Sequence, residues 1–192
     1  PHGTGTLSAA RHQLRLCGKP HGFTVKFAYA TPSNSGTYLF HAEKKALHRV
    51  GIEAKAVPAS EANYYSSVIG SPRTLKRRHI GLALAGWGAD FPTGSGFYQS
   101  IADGHNILPV GNSNYPSLND PRVNHVLAEA GKKHVHRAGW RRLDHAVMDD
   151  AVYLPFLFQK TLYYRNPRMT DVTCNNAEAF GAYDFVNIGV RS

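Results

Sequence analysis

Apolar residues change their period once within the first thirty positions. Leu7, Ala10, Leu14 and Cys17 recur at three- and four-residue steps behind Thr6, a side chain suited to an N-cap, and Gly18 supplies a stop. This spacing predicts a helix over about 7–17. From Phe23 the period falls to two, with Phe23, Val25, Phe27 and Tyr29 alternating with Thr24, Lys26 and Ala28, which predicts a strand with one buried face.

A loop of turn formers, TPSNSG, comes next, and then Leu39, Ala42, Ala46, Leu47 and Val50 mark a helix that Gly51 closes. Ile52 to Val57 reads as a further strand. Strand, helix and strand make a βαβ unit, which requires parallel pairing and a right-handed crossover. Beyond a polar, tyrosine-containing stretch (60–70) and a basic loop, the near-continuous apolar run from Ile80 to Gly86 predicts an interior strand covered on both faces. Three neighbouring parallel strands are therefore expected at about Phe23–Tyr29, Ile52–Val57 and Ile80–Gly86.

Asn119, Asp120 and Pro121 form a helix start, with Val123, Val126, Leu127 and Ala130 as its apolar stripe. A second helix runs from about Arg137 to Asp150 on Trp140, Leu143 and Val147. The stretches AVYLPFLF and TLYYR read as two strands, Pro155 confining the first to an edge or bulge, and NIGVRS reads as one more extended segment. The element order predicts the α/β class, a mainly parallel sheet flanked by helices.

The 192 residues are 42% hydrophobic, enough for one sizeable core. No apolar run reaches the roughly eighteen residues of a membrane span. The first residues lack the order of a secretory signal, so any export signal is expected upstream or already removed. A net charge of +9 permits attraction to anionic surfaces or nucleic acid. The dense basic run Arg73, Lys76, Arg77, Arg78 and His79 lacks the interleaved aromatics of a stacking platform, which favours a solvated loop face. Cys17 and Cys174 could form a long-range disulfide or stand as buried thiols, and the second reading is preferred.

Ligands of open α/β sheets bind outside the carboxyl ends of the strands. The loop after Gly86 is the richest position of that kind, since GWGADFPTGSGF holds four glycines, a proline, three aromatics and one acid. Asp90, between Trp87 and Phe91, could pair with a ligand ammonium or could cap a turn, and the residues alone leave these two readings even. For Trp87 a core plug is favoured. Asp149 and Asp150 at a helix end read as solvated or capping residues. His134 and His136 would point to different sides of a helix, and no paired Cys motif, phosphate loop or nucleophile elbow occurs. Asp90, Asp103 and His105 stand near one another in sequence, but nothing in the spacing orients them as a catalytic set.

In order along the chain, LSAARHQLRLCGKPHGFTVKFAY, ALHRVGIEAKAV, LALAGWGADFPTGSGF, LNDPRVNHVLAEA and RLDHAVMDDAVYLPFLFQKTLYYR followed by MTDV make up a resemblance that runs nearly end to end. Together they resemble the C-terminal lobe of the dipeptide-, oligopeptide- and nickel-binding proteins of ABC importers (family 5), a class II, cluster C periplasmic-binding-protein-like fold. The resemblance implies a solute-binding lobe at 1–165 and a tail at 166–192 that returns toward a first, N-terminal lobe absent from this chain. It also implies transport rather than catalysis, no cofactor, an extracytoplasmic location, and a short peptide and a membrane permease as partners, with nucleic acid not among them. In peptide-binding members the aspartate of W-x-x-D meets the peptide's α-amino group. Trp87, Gly88, Ala89, Asp90 and Phe91 are therefore the expected ligand-binding residues. The alternative is a basic fragment that binds polyanions or proteins without a transport role.

Overall fold

The computed structural model describes residues 6–89, 91, 93–130, 137–158, 164–172, 174–175, 182–183 and 188–191, with the side chains of 34, 174–175 and 182–183 left aside. The chain forms two compact units. One comprises Pro1–Gly86 with Ile107–Ser117, and the other Trp87–Asn106 with Leu118–Ser192.

The first unit is built on the βαβ motif. Helix α1 (Leu7–Leu16) begins where Thr6 Oγ1 accepts from Ala9 N at 3.2 Å. Strand β1 (Phe23–Thr31), helix α2 (Asn34–Arg49) and strand β2 (Ile52–Ser60) follow, and β3 (Ile80–Ala83) completes a sheet of order β2-β1-β3. Both pairings are parallel, with Phe23 opposite Ile52 and Thr31 opposite Ser60 on one side, and Ala28 opposite Ala83 on the other. The three expected parallel strands are present. Helix α2 starts earlier than its apolar stripe because Ser33 Oγ caps Gly36 N at 3.1 Å.

Strand β1 is central, so both its faces are covered in its second half, contrary to the expectation of one buried face. Phe27 and Tyr29 pack under α2, where Tyr29 and Phe40 stack at 4.7 Å and Phe27 meets Phe40 edge-on at 5.5 Å. Burying Phe40 contributes roughly 1.5–3 kcal/mol. On the opposite face Ala28 is 0% exposed, beneath Val57, Tyr64, Val68 and Ile69. Strand β3, expected in the interior, is instead an edge of this sheet, and Gly81, Leu82 and Ala83 are exposed. Its flanks account for the apolar run: Ile80 packs with the Ala28 cluster and Leu84 with the Phe40 cluster, one on each face.

The second face is covered by segments whose periodicity is weak. After β2 a single turn α3 (Glu61–Asn63) passes into a π-helical turn, Tyr64–Val68, closed by Ile69 N donating to Tyr64 O at 2.9 Å. Gly70 is required there, because a Cβ would stand 2.0 Å from Tyr65 O. The basic run, expected as a loop, is helix α4 (Pro72–Arg78), with Ser71 as N-cap, Pro72 in its first turn and His79 ending it at φ 55°. Lys76, Arg77 and Arg78 occupy its last turn, where cations offset the negative end of the helix dipole.

Helix α1 buries no residue, and Cys17 at its end is a free, exposed thiol rather than the buried one expected. The side chain of Cys174 lies outside the described residues.

The second unit packs α5 (Gly94–Ala102), α6 (Pro121–Ala130) and α7 (Arg137–Asp149) around Ile101, Val123, Leu127, Leu143 and Val147. Both helices expected after residue 119 form. Short antiparallel pairs complete it: β4 (Met169–Thr170) with β7 (Gly189–Val190), and β5 (Cys174–Asn175) with β6 (Ala182–Tyr183). β7 lies in the segment read as extended. AVYLPFLF is not a strand. Residues 152–158 have no regular structure, and Leu154, Phe156, Leu157 and Phe158 are exposed, so the apolar run finds no ladder partner among the described residues. Most of TLYYR, and the pair His134 and His136, lie outside the described residues.

Candidate functional site

The chain leaves the carboxyl end of β3 at Leu84, whose N–H donates to Ala28 O at 3.0 Å and so extends the ladder by one residue. Tyr64, 1% exposed, stands under this exit, with its hydroxyl 2.6 Å from Leu84 O and 3.0 Å from Ala28 O. Burial raises the Tyr64 pKa, as do Tyr65 and Tyr115 beside it, so the phenol remains a donor. Behind it the π-helical turn is braced by Gly111 N donating to Ser66 O and Asn112 N donating to Gly70 O, both at 2.9 Å. Asn112 is itself buried and donates its side-chain amide to Asn114 O.

Gly86 and the loop that begins at Trp87 follow. Trp87 is half-buried and packs against the core of α5, α6 and α7, which agrees with the reading of a core plug. Its indole Nε1 is buried and has no hydrogen-bond partner among the described residues. Gly88 is exposed with nothing near its missing Cβ, Ala89 is half-buried, and Phe91 is 67% exposed. Asp90, the expected amine anchor, lies outside the described residues.

The second half of the glycine-rich stretch is helix rather than loop. Thr93 caps α5 by accepting from Gly96 N at 3.0 Å. A Cβ on Gly94 would lie 2.5 Å from the Trp140 indole, and one on Gly96 would lie 2.7 Å from Phe91 O. These two glycines serve close packing, and Gly96 fixes how the chain turns from Phe91 into α5. The Trp140 ring also stacks on Tyr98 at 6.5 Å, and Tyr98 donates to Asp144 at 2.7 Å.

Two polar groupings take a form that the sequence did not show. Asp103 Oδ1 accepts from His105 N and meets His105 Nδ1, both at 2.9 Å, within a tight turn over Gly104–Asn106, which is a local capping geometry. Asp150, read as solvated or capping, is neither. Its Oδ1 accepts from Arg122 at 3.1 Å while Asp120 takes a second arm of the same guanidinium at 2.9 Å. Tyr64 also escaped notice, because a buried tyrosine beside an exposed one in a polar stretch leaves no periodic signal.

No family profile matches the chain, and no curated protein matches it. Solved structures do. One described as clavulanic acid biosynthesis oligopeptide binding protein 2 is 36% identical, with a TM-score of 0.90, over 98% of this chain and 34% of its own. The periplasmic binding protein DppA from Helicobacter pylori, solved with the peptide STSA, is 20% identical over 78% of this chain and 28% of its own, with a TM-score of 0.66. A dipeptide binding protein from Pseudoalteromonas sp. SM9913, solved with Met-Leu, is 14% identical over 96% of this chain and 35% of its own, with a TM-score of 0.64. At those two identities the likeness is one of fold. The chain spans about a third of the length of each of these proteins. Its parallel sheet and flanking helices are theirs, and along nearly all of its own residues the chain is 36% identical to a third of an oligopeptide binding protein, a likeness to the dipeptide-, oligopeptide- and nickel-binding family (family 5) of ABC-importer solute-binding proteins that its sequence resembles.

Proposed function

We propose that this chain is the C-terminal lobe of a longer, two-lobed extracytoplasmic protein that captures a short peptide and delivers it to an ABC permease. The observation that carries the reading is the match to an oligopeptide binding protein at a TM-score of 0.90 over 98% of the chain. The lobe binds and does not catalyse. Its partners are the peptide, the permease and the first lobe, which supplies the other half of the binding contacts. A lone lobe therefore holds peptide weakly, since half of the contacts are missing while the entropic cost of association remains.

The ligand-binding residues are Trp87, Gly88, Ala89, Asp90 and Phe91. This loop follows a parallel strand at its carboxyl end, where open α/β sheets take ligands. Asp90 is the one acid of the loop, and its carboxylate meets the peptide's α-ammonium, a charge-assisted pair of roughly 1.5–3 kcal/mol. In the complete protein, Asp90→Asn should weaken a peptide with a free amino terminus by about 2–5 kcal/mol, because the ammonium stays buried without its counter-charge. An N-acetylated peptide should lose little. Equal calorimetric affinities of wild type and Asp90→Asn for the free-amine peptide would end the amine-anchor reading.

A further inference from the structure

Resting on the reading of the Trp87–Phe91 loop as the ligand loop, we infer that Tyr64 is its positioning residue. The loop leaves the sheet at Leu84, three residues before Trp87, where the Leu84 N–H to Ala28 O bond is the last backbone bond to β1 among the described residues. Past that point the strand's outer edge carries no ladder among the described residues, and Gly86 adds backbone freedom where the direction of the loop must be set. The Tyr64 hydroxyl adds a side-chain tie at this exit, beside the Leu84 backbone bond. Its single proton is held between Leu84 O at 2.6 Å and Ala28 O at 3.0 Å, which ties the departing chain to the central strand.

The phenol can act as a fixed post because everything behind it is fixed. The ring is fully buried in the cluster of Ala28, Val57, Val68 and Ile69. The π-helical turn that carries it widens the helix by one residue, and such turns recur where a side chain has to be aimed. That turn is in turn held by the backbone donors Gly111 and Asn112. A tyrosine serving the core alone would need one acceptor. Here the hydroxyl meets two carbonyls on two strands, one of them at the root of the ligand loop.

The test is run on the complete protein with tetra-alanine and N-acetyl-tetra-alanine as probes, comparing wild type, Tyr64→Phe, Asp90→Asn and the double variant by calorimetry. Tyr64→Phe keeps the ring and its packing and removes only the hydroxyl. It should weaken tetra-alanine roughly three- to tenfold, the worth of one such hydrogen bond, and change the acetylated probe less than about twofold. The double variant should bind no more weakly than Asp90→Asn alone. Amide exchange should rise over 84–89 and stay unchanged in the centres of β1 and β2. Equal losses for both probes, additive losses in the double variant, or unchanged exchange over 84–89 would each reduce Tyr64 to a packing residue, while Asp90→Asn still discriminated between the probes. If Asp90→Asn does not discriminate, the reading of the loop fails and the positioning role falls with it.

Discussion

Asp150 shows how one residue can work against the fold it helps to hold. Its Oδ1 accepts from Arg122, and its Oδ2 is buried with no hydrogen-bond partner among the described residues. Burial and the nearby charges of Asp120 and Asp149 hold its pKa above the usual carboxylate range, against the pull of Arg122. Asp120 goes the other way. Hydrogen bonds from the Arg122 side chain and backbone bring it down to about 2. A lowered folded pKa gives stability that is present above the unfolded value and is lost as pH falls toward 2, whereas the raised pKa of Asp150 costs stability at neutral pH that returns as pH falls through it. Asp150→Asn should therefore raise the unfolding midpoint at pH 7, by less as the pH drops, and Asp120→Asn should lower it. Thermal melts between pH 7 and pH 3 check both, and a lowered midpoint for Asp150→Asn at pH 7 would contradict the assignment. None of this was legible beforehand, because residues 120 and 150 meet only through the packing of α6 and α7.

Among the elements, α2 was readable from the sequence in its stripe and its Gly51 stop, but not in its start. Asn34 to Tyr38 hold no apolar period, and the first turn exists because Ser33 caps it. Ser33→Ala should cost about 1 kcal/mol and Ser33→Gly only a few tenths, since glycine tolerates the N-cap backbone. Urea unfolding distinguishes them, and equal losses would show that the cap contributes nothing. Helix α4 escaped the same reading for a related reason. Seven residues with three cations in the last turn have no stripe to count, and their helix depends on the Ser71 cap, on Pro72 and on Leu75 reaching the Ala28 cluster. The two ends of Ile80–Gly86 likewise serve opposite faces, so an edge strand imitated an interior one.

At the scale of the whole chain, apolar surface is left uncovered. Leu154 is 79% exposed and Phe158 93%, in a stretch whose composition reads as a strand. Together with Leu157 and Phe156 they exceed the scattered apolar residues that a soluble surface normally carries. The 192-residue chain prepared alone should bind a hydrophobic dye and self-associate at micromolar concentration, and Leu154→Asp with Phe158→Asp should reduce both. Sedimentation of the unsubstituted chain as a dye-silent monomer would show that this surface is not available.

By itself the sequence determined the class of the fold, the three parallel strands with the helix between the first two, and the helices α6 and α7. Periods of two and 3.6, caps and glycine stops are local, and a βαβ unit leaves parallel pairing as its one arrangement. It also marked the loop from Trp87 to Phe91, because turn formers crowded with aromatics and an acid stand out in composition and the W-x-x-D motif resembles that of peptide binders. Tertiary structure decided the rest: that β1 and not β3 is central, that Gly94 makes room for Trp140, that Asp120 and Asp150 share one arginine, and that Tyr64 lies under Leu84. Each of these depends on residues distant in the chain meeting across a packed interior, where fit and desolvation rather than periodicity select the partner.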